Sequence, residues 1–533
     1  MNAESFESAR VQHELLADVL VIGGGPAGAW AALSACERGA ERVVLVDKGY
    51  CGTSGATASA NTGIWCVSPE GDARERAIEA RLTQSAGLGR RDTMARVLGT
   101  TWQRLADLAR WGFPFPVDDT GQQYRANLRG PDYMAFMRQR LKRAGVVVLD
   151  HSPALELVLS GHQIAGAIGR RLPGGEAYRV RASAVVLASG GVAFLSKTLG
   201  CDVNTGDGLL MATEAGAELS GMEFSAQYGI CPAYSSVTKG LPYVWATFSD
   251  EAGQVIDTSA DRQLTLARAL LEGPVYAVLD RASPAIQRWL RAGQPNCFLP
   301  HDRLGVDPFR QRFPITMRCE GTVRGTGGVR IFDRDCSTGV RGLYAAGDVA
   351  SRETLVGAAT GGGAPNAAWA ISSGTWAGRA AAEYAKTQGA ERWPLTAAGA
   401  VGLRPTERRG GADTLAAEVI ASVQAELLPL DKNLFRSQAR LERSLAVLDD
   451  AWGCARARLV GEGRDGVRAR EAAALLACAR FAYRSALVRS ESRGLHQRLD
   501  RPEQDPQQAH SLACTGADRI DVHPYRYAEE AIS

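Results

Sequence analysis

The chain has 533 residues, 45% of them hydrophobic and 22% charged, the profile of a globular protein too long for one core, so about two to four domains are expected. A net charge of +3, with basic residues interspersed among acidic ones, argues against a nucleic-acid binder. No apolar run is long enough to span a bilayer and the N-terminus lacks a signal-peptide layout, so a cytoplasmic location away from membranes is expected.

The apolar run from Asp18 to Ile22 predicts a strand, GGGPAG a strand-to-helix turn, AWAALSACERGA a helix, and VVLVDKG a second strand ending at Asp47. Gly23 allows the tight turn, Gly25 lets a pyrophosphate approach the backbone, and Gly28 lets the helix pack onto the sheet. With Pro26 and Ala27 they form the expected cofactor cradle. There the unpaired N–H groups and positive dipole end of the helix compensate a phosphate charge. Asp47 lies about twenty residues further on, where a carboxylate accepts hydrogen bonds from a ribose diol and disfavours a 2′-phosphate. Lys48 follows it into the same expected site.

Further along, RASAVVLASGG predicts another buried parallel strand, with Ala188, Ser189 and Gly190 turning toward the cofactor. The stretch NTGDGLLMATEAGAELSGMEF reads as a turn entering a helix, and Asp207 either faces the cofactor or simply makes the turn. From Glu223 to Thr326 the pattern loses its period, which suggests an inserted cap. GVRGLYAAGDVAS then returns to nucleotide-domain character with Gly347 and Asp348. The first motif alone signals a dinucleotide. Both in one chain point to FAD and to redox chemistry. One complete GxGxxG leaves no evident second site for NAD(P)H, and GLYAAGD disfavours an NAD-only dehydrogenase.

After Gly378 a connection with loops is expected, including ERRGGAD, then a helical region from Glu426 to about Arg489 and a tail from Pro502 extended over the surface. The divisions are 1–222 and 327–395 for the two parts of the FAD-binding domain, 223–326 for the cap, 396–425 for the connection and 426–533 for the helical domain and tail. The eleven cysteines show no CxxC or cluster spacing and the seven histidines no HExxH pair, so neither an iron–sulfur centre nor a bound metal is expected.

GGGPAG, VVLASGG, NTGDGLLMATEAGAELSGMEF, GLYAAGD and RSESRGLHQRLDRPEQD together resemble the flavoprotein-subunit superfamily of succinate dehydrogenase, fumarate reductase, L-aspartate oxidase and adenylylsulfate reductase. The resemblance covers nearly the whole chain. It implies an α/β fold: a Rossmann-like FAD-binding domain with an inserted α+β capping domain and a C-terminal helical domain, the substrate lying between cap and isoalloxazine ring. It also implies that GYCGTSGATASANTG wraps the flavin, with Ser54, Gly55, Ala56, Thr57 and Ser59 in contact. Membrane-bound members carry a flavin-linking histidine in this segment. Here Gly55 and Ala56 stand there, so noncovalent FAD is expected. VGAATGGGAPNAAWAISSG stands where the family has a HGANRLGGNSLL-type turn. Gly361 to Gly363, Ala364 and Asn366 would approach the ring, and Pro365 suits the first turn of a helix whose N-terminus stabilises negative charge on the flavin.

The chain departs from the family at three polar positions. The dicarboxylate enzymes have two histidines and an arginine where this chain offers Tyr228, Val323 or Arg324, and Thr360 or its neighbours. The usual dicarboxylate chemistry therefore does not carry over residue by residue. ADRQLTLARALLEG resembles the family's RDxxxRxI helix, whose second arginine delivers a proton, and Arg268 is the best equivalent, with Arg262 the other. The catalytic candidates are Arg268, Tyr228 and Arg324, with Arg318 and Glu320 behind them. His496 is expected to be structural, paired with Glu491 or Asp500.

The expected activity is two-electron exchange between flavin and a small anionic, carboxylate-bearing substrate. The alternatives are an adenylylsulfate-reductase-like subunit served by a ferredoxin-like partner and a flavin-binding protein without turnover. Electrons would leave to oxygen, a quinone-like acceptor or a protein, and a homo-oligomer is compatible with the sequence.

Overall fold

The structure is a computed structural model describing residues 11–117, 121, 123–360, 362–388, 394–407 and 412–527. Its central element is β1 (Val11–Ile22), whose end, Val19 to Val21, is fully buried. A strand this apolar on both faces must lie inside a parallel sheet covered by helices. In chain order there follow α1 (Pro26–Glu37), β2 (Val43–Val46), β3 (Val147–Leu149), β4 (Ala154–Ser160), β5 (Gln163–Arg171), β6 (Glu176–Leu187) and α2 (Asp207–Glu214). The cap contributes β7 (Tyr228–Pro232), β8 (Thr247–Ser249), α3 (Arg262–Glu272), β9 (Val275–Val278) and β10 (Phe313–Cys319). Then come β11 (Leu343–Ala345), α4 (Gly363–Thr387), β12 (Leu395–Ala397), α5 (Ala412–Leu427), α6 (Gln438–Arg458), α7 (Gly463–Val488), β13 (Ser511–Thr515) and β14 (Asp521–Tyr525).

The strands β11, β6, β1, β2 and β3 run parallel, while β5, β4 and β12 extend the sheet antiparallel from the first half of β6. Register explains the site. Ile22 pairs with both Val46 and Leu187, and Leu187 pairs with Ala345, so four strands end on one line. The segments that follow them, far apart in sequence, therefore meet at one edge, the carboxyl edge where open α/β sheets bind ligands.

Helices α1 and α4 cross closely over this sheet because two glycines of α4 have no side chain. A Cβ on Gly374 would lie 2.3 Å from the Ala27 carbonyl oxygen, and one on Gly378 would lie 2.1 Å from that of Ala31. The cap is a separate antiparallel sheet in the order β7, β10, β9, β8. On the far side α7, buried from Ala472 to Tyr483 without interruption, forms the core of the helical region with α5 and α6.

The fold is thus the α/β architecture the resemblance implies, with three local differences. Helix α4 continues through Gly378 to Thr387, because that glycine serves packing rather than a break. Helix α5 begins at Ala412, inside the expected connection, while residues 408–411 of ERRGGAD lie outside the described residues. The tail lies over the surface only in part: residues 502–510 and 521–527 are exposed or half-buried, but the strand between them is not. Its strand β13 is buried from Ser511 to Cys514 and pairs with Leu219–Ser220 and with β14. Among the described residues no helix is long and apolar enough to cross a membrane.

Candidate functional site

A cavity of about 460 Å³ opens at the aligned strand ends. Gly23 turns the chain there with φ +111°, and a Cβ on it would sit 2.3 Å from the Ala188 carbonyl oxygen. Gly28 lies one helical turn further, off the cavity. Its missing Cβ would meet the Gly23 carbonyl oxygen at 1.8 Å, so it packs the helix on the turn and does not line the cavity. Gly25 has open space where a side chain would be, and no side chain caps α1. The first N–H groups of α1 therefore face an anion-sized opening with no competing cap.

Asp47 is held rigidly. Its Oδ2 accepts from Gly24 N at 2.6 Å, and its Oδ1 accepts from Gly49 N and Ser54 Oγ at 2.8 Å each. Oδ1 is filled by its two donors, whereas Oδ2 keeps a second lone pair for a ribose hydroxyl. Lys48 also lines the cavity, but its ammonium points away into Thr205 Oγ1 (2.6 Å), Asp207 Oδ2 (2.7 Å) and Glu471 Oε1 (2.9 Å). Burial works against its charge, yet the two carboxylates outweigh burial and raise its pKa. Lys48 thus acts as a strut joining the turn after β2 to α2 and α7.

The remaining lining comes from Ser54, Gly55, Ala56 and Thr57, from Ala188, Ser189, Gly190 and Asp207, and from Gly347, Asp348, Gly363, Ala364 and Asn366, beside Gly23, Gly25, Pro26, Ala27 and Asp47. Ser59 is not part of it: its hydroxyl turns to the Leu199 carbonyl at 3.4 Å. Gly361 lies outside the described residues, and α4 starts at Gly363 with no side-chain cap. Buried polar atoms without a hydrogen-bond partner gather here: Ser189 Oγ, Asn204 Oδ1, Asp207 Oδ1 and Asn366 Oδ1 all belong to lining residues. Such atoms are costly unless a ligand satisfies them. Three are obligate acceptors, matching the hydroxyls, adenine amino group and ring N–H of a flavin dinucleotide. The residues fit FAD. Asn204, two positions before the Gly-Asp-Gly turn, was legible only as the start of that motif.

At the cap end the lining is Arg324, Val323, Lys239, Gly240, Leu241 and Gln294. Arg324 Nη1 donates to the Thr238 carbonyl at 2.7 Å and pairs with Glu320 Oε1 at 2.8 Å. The turn bearing it is fixed by buried Arg352, which donates to the carbonyls of Thr322 (2.6 Å) and Val323 (3.1 Å) and to Asp348 Oδ1 (2.7 Å). Burial raises the pKa of Asp348, with Arg352 and Arg324 pulling it back. Lys239, absent from any motif, was missed by the sequence. Burial and the neighbouring Arg324 charge bring its amine down to about 8.

Two of the three catalytic candidates lie elsewhere. Tyr228 is buried on β7 with its hydroxyl 3.1 Å from the carbonyls of Leu427 and Leu428, where it satisfies the C-terminal end of α5. Arg268 is exposed on α3, 5.6 Å over the Phe435 ring, because Leu266 and Ala267 take the buried face of that helix. Arg262 donates to the Tyr243 carbonyl (3.0 Å), Arg318 to that of Ser235 (3.1 Å), and Thr360 Oγ1 to that of Arg324 (2.9 Å). His496 is structural but differently paired. Arg436 Nη1 lies 2.8 Å from its Nδ1 and the Arg489 carbonyl 3.0 Å from its Nε2. Arginine only donates, so Nε2 carries the proton. Burial, then Arg436, keeps the ring neutral by lowering its pKa far below the usual range. Glu491 instead binds Arg489 and Arg493, and Asp500 binds Arg498.

An uncapped helix start and a rigidly held aspartate at the carboxyl edge of a parallel sheet, closed by an antiparallel cap, are the setting of an FAD-dependent oxidoreductase. The chain matches the FAD binding domain family over residues 18–228 and the fumarate reductase flavoprotein C-terminal family over 431–530. It is 28% identical over 546 residues to an L-aspartate oxidase of Mycobacterium tuberculosis, covering 94% of this chain and 96% of the relative. It is 26% identical over 569 residues to a fumarate reductase flavoprotein subunit of the same organism, covering 93% and 94%. In fold it resembles an E. coli quinol fumarate reductase FrdA chain (TM-score 0.82, 20% identity, 98% of each chain). It also resembles adenylylsulfate reductase from Archaeoglobus fulgidus (TM-score 0.76, 18% identity, 97% and 96%). The chain belongs to the succinate dehydrogenase/fumarate reductase flavoprotein superfamily.

Proposed function

We propose that the protein exchanges two electrons between noncovalently held FAD and a small carboxylate-bearing substrate bound at the cap end of the cavity. The carrying observation is Arg324. Its Nη1 is committed to Thr238 and Glu320, while no protein partner takes Nε or Nη2 among the described residues, and the group lines the cavity. That free edge can grip a carboxylate through two parallel hydrogen bonds. When bound, FAD supplies the two-electron chemistry. The protein supplies the cradle, the carboxylate anchor and exclusion of water between cap and sheet. Among the described residues the cavity lining contains no histidine, cysteine or tyrosine, which supports noncovalent binding. Relatives that are flavoprotein subunits support a second half-reaction ending on an acceptor outside this chain, whether a protein, a quinone-like molecule or oxygen.

The test is an anaerobic screen of the yellow holoenzyme with dicarboxylates, amino acids and sulfonucleotides, following loss of the flavin band. Bleaching by a carboxylate, lost or shifted to much higher concentration in Arg324→Leu, is the expected result. Bleaching by sulfonucleotides alone would favour an adenylylsulfate-reductase-like role. Yellow colour remaining on acid-precipitated polypeptide would refute noncovalent attachment.

A further inference from the structure

Among the described residues two lysines line this cavity, and their surroundings are opposite. Lys48 is bound by three oxygens. Lys239 has neither a hydrogen bond nor an ion pair among the described residues. The segment that carries it is nonetheless fixed. Thr238 is bonded twice, its carbonyl accepting from Arg324 at 2.7 Å and its hydroxyl donating to Glu320 Oε1 at 2.5 Å. The groups that face the Lys239 amine are Arg324, Glu320, Cys297 and Cys201. Glu320, the one carboxylate among them, is taken up by Arg324 at 2.8 Å, and burial pushes both thiols up, Cys201 to about 12 and Cys297 to about 11. The amine is left without a counter-ion. A half-buried lysine beside a like charge can shed its proton near neutral pH, and two titratable groups driven apart within one site commonly mark an acid/base assignment.

We propose that the Lys239 amine is the acid/base group of the substrate half-reaction. The proposal rests on the carboxylate reading above. Oxidising a saturated carbon beside a carboxylate removes two electrons with one hydrogen, which bound FAD would accept, and one proton from the neighbouring carbon, nitrogen or oxygen. The electron pair of that second bond stays on the substrate as the new double bond, and the proton passes to Lys239 Nζ. Reduction runs the same transfers backwards. Arg324 anchors the carboxylate and, by occupying Glu320, keeps Lys239 unpaired.

In FAD-loaded enzyme, the rate of anaerobic flavin bleaching by a substrate from the screen is expected to rise with pH through an inflection near 8. Lys239→Gln should lose that inflection and slow the step on the order of 10²- to 10⁴-fold with FAD content unchanged. Lys239→Arg should not restore it, whereas added methylamine should partly rescue Lys239→Ala. An inflection kept in Lys239→Gln overturns the proposal. A second measurement needs no substrate: trace acetylation of the holoenzyme across pH, read by peptide mass spectrometry. Lys239 should label with a midpoint near 8, well below that of a free lysine side chain, about 10.4, in a model compound added to the same reaction. Coincident midpoints overturn the proposal even if carboxylates bleach the flavin, whereas a midpoint near 8 without bleaching by any carboxylate would mean that the carboxylate reading, and not the state of the amine, has failed.

Discussion

Lys48 and Asp207, 159 positions apart, form an ion pair at 2.7 Å beneath the cofactor cavity. Glu471 of α7 completes it at 2.9 Å, so one ammonium ties the nucleotide sheet to α2 and to the helical region.

Lys48→Met should therefore damage both stability and flavin retention. It leaves two carboxylates without their cation. Breaking a fully buried pair costs about 3–5 kcal/mol, and the exposure of these side chains, 18%, 16% and 27%, lowers the expectation to about 2–3 kcal/mol. Urea denaturation of the flavin-free protein measures the loss. A midpoint equal to the parent's would mean that the strut contributes nothing.

Gly25 and Gly28 should fail in different ways. A methyl at Gly25 meets no protein atom within 4 Å but projects where the pyrophosphate would lie, so Gly25→Ala should fold with parental thermal stability and come off the column colourless. A methyl at Gly28 would stand 1.8 Å from the Gly23 carbonyl oxygen, so Gly28→Ala should lower the melting temperature even without flavin. Identical behaviour of the two variants would contradict the division of labour drawn here.

The contrast also shows what sequence could carry. Gly23, Gly25 and Gly28 were legible because each answers a local backbone demand that a short motif records. Gly347 and Asp348 were legible from the GLYAAGD motif, and the strand ahead of them ends in register with β6. Lys48 looked like a cofactor ligand because its partner Glu471 is 423 positions away. Tyr228 and Arg268 match the family pattern by residue type and position, but which way a strand or helix residue faces depends on packing, and both face away. Lys239 had no signal, since its setting is made by Arg324 and Glu320 across the cap.

Glu353 makes stability depend on pH. Burial, and then the neighbouring Glu223 carboxylate, push it up to about 7 from 4.5. A folded-state value above the unfolded one means that the protonated form favours the fold. The contribution is complete below about 4.5 and is lost as pH rises through about 7. Glu353→Gln stays neutral and can keep the Ser220 hydrogen bond now made at 2.6 Å. Relative to the parent it should gain about 1–3 kcal/mol on going from pH 5 to pH 8. Parallel thermal-stability profiles over that range would show that Glu353 does not ionise there.

The last prediction concerns Arg489, whose Nε donates to Glu223 Oε1 at 2.8 Å with both side chains wholly buried. Its Nη1 also reaches Glu491 at 3.0 Å and its Nη2 the His510 carbonyl at 2.9 Å, so one guanidinium holds the end of α7 against the turn that leads into the cap. Arg489→Met strands Glu223 in the core and should cost about 3–5 kcal/mol. Glu223→Gln added to it removes the stranded charge, although the amide still needs partners. The double variant should therefore be more stable than Arg489→Met alone, a coupling that a denaturation cycle reads directly. Strict additivity of the two losses would mean that the pair does not interact in solution, and the helical region would then be held by apolar packing of α7 alone.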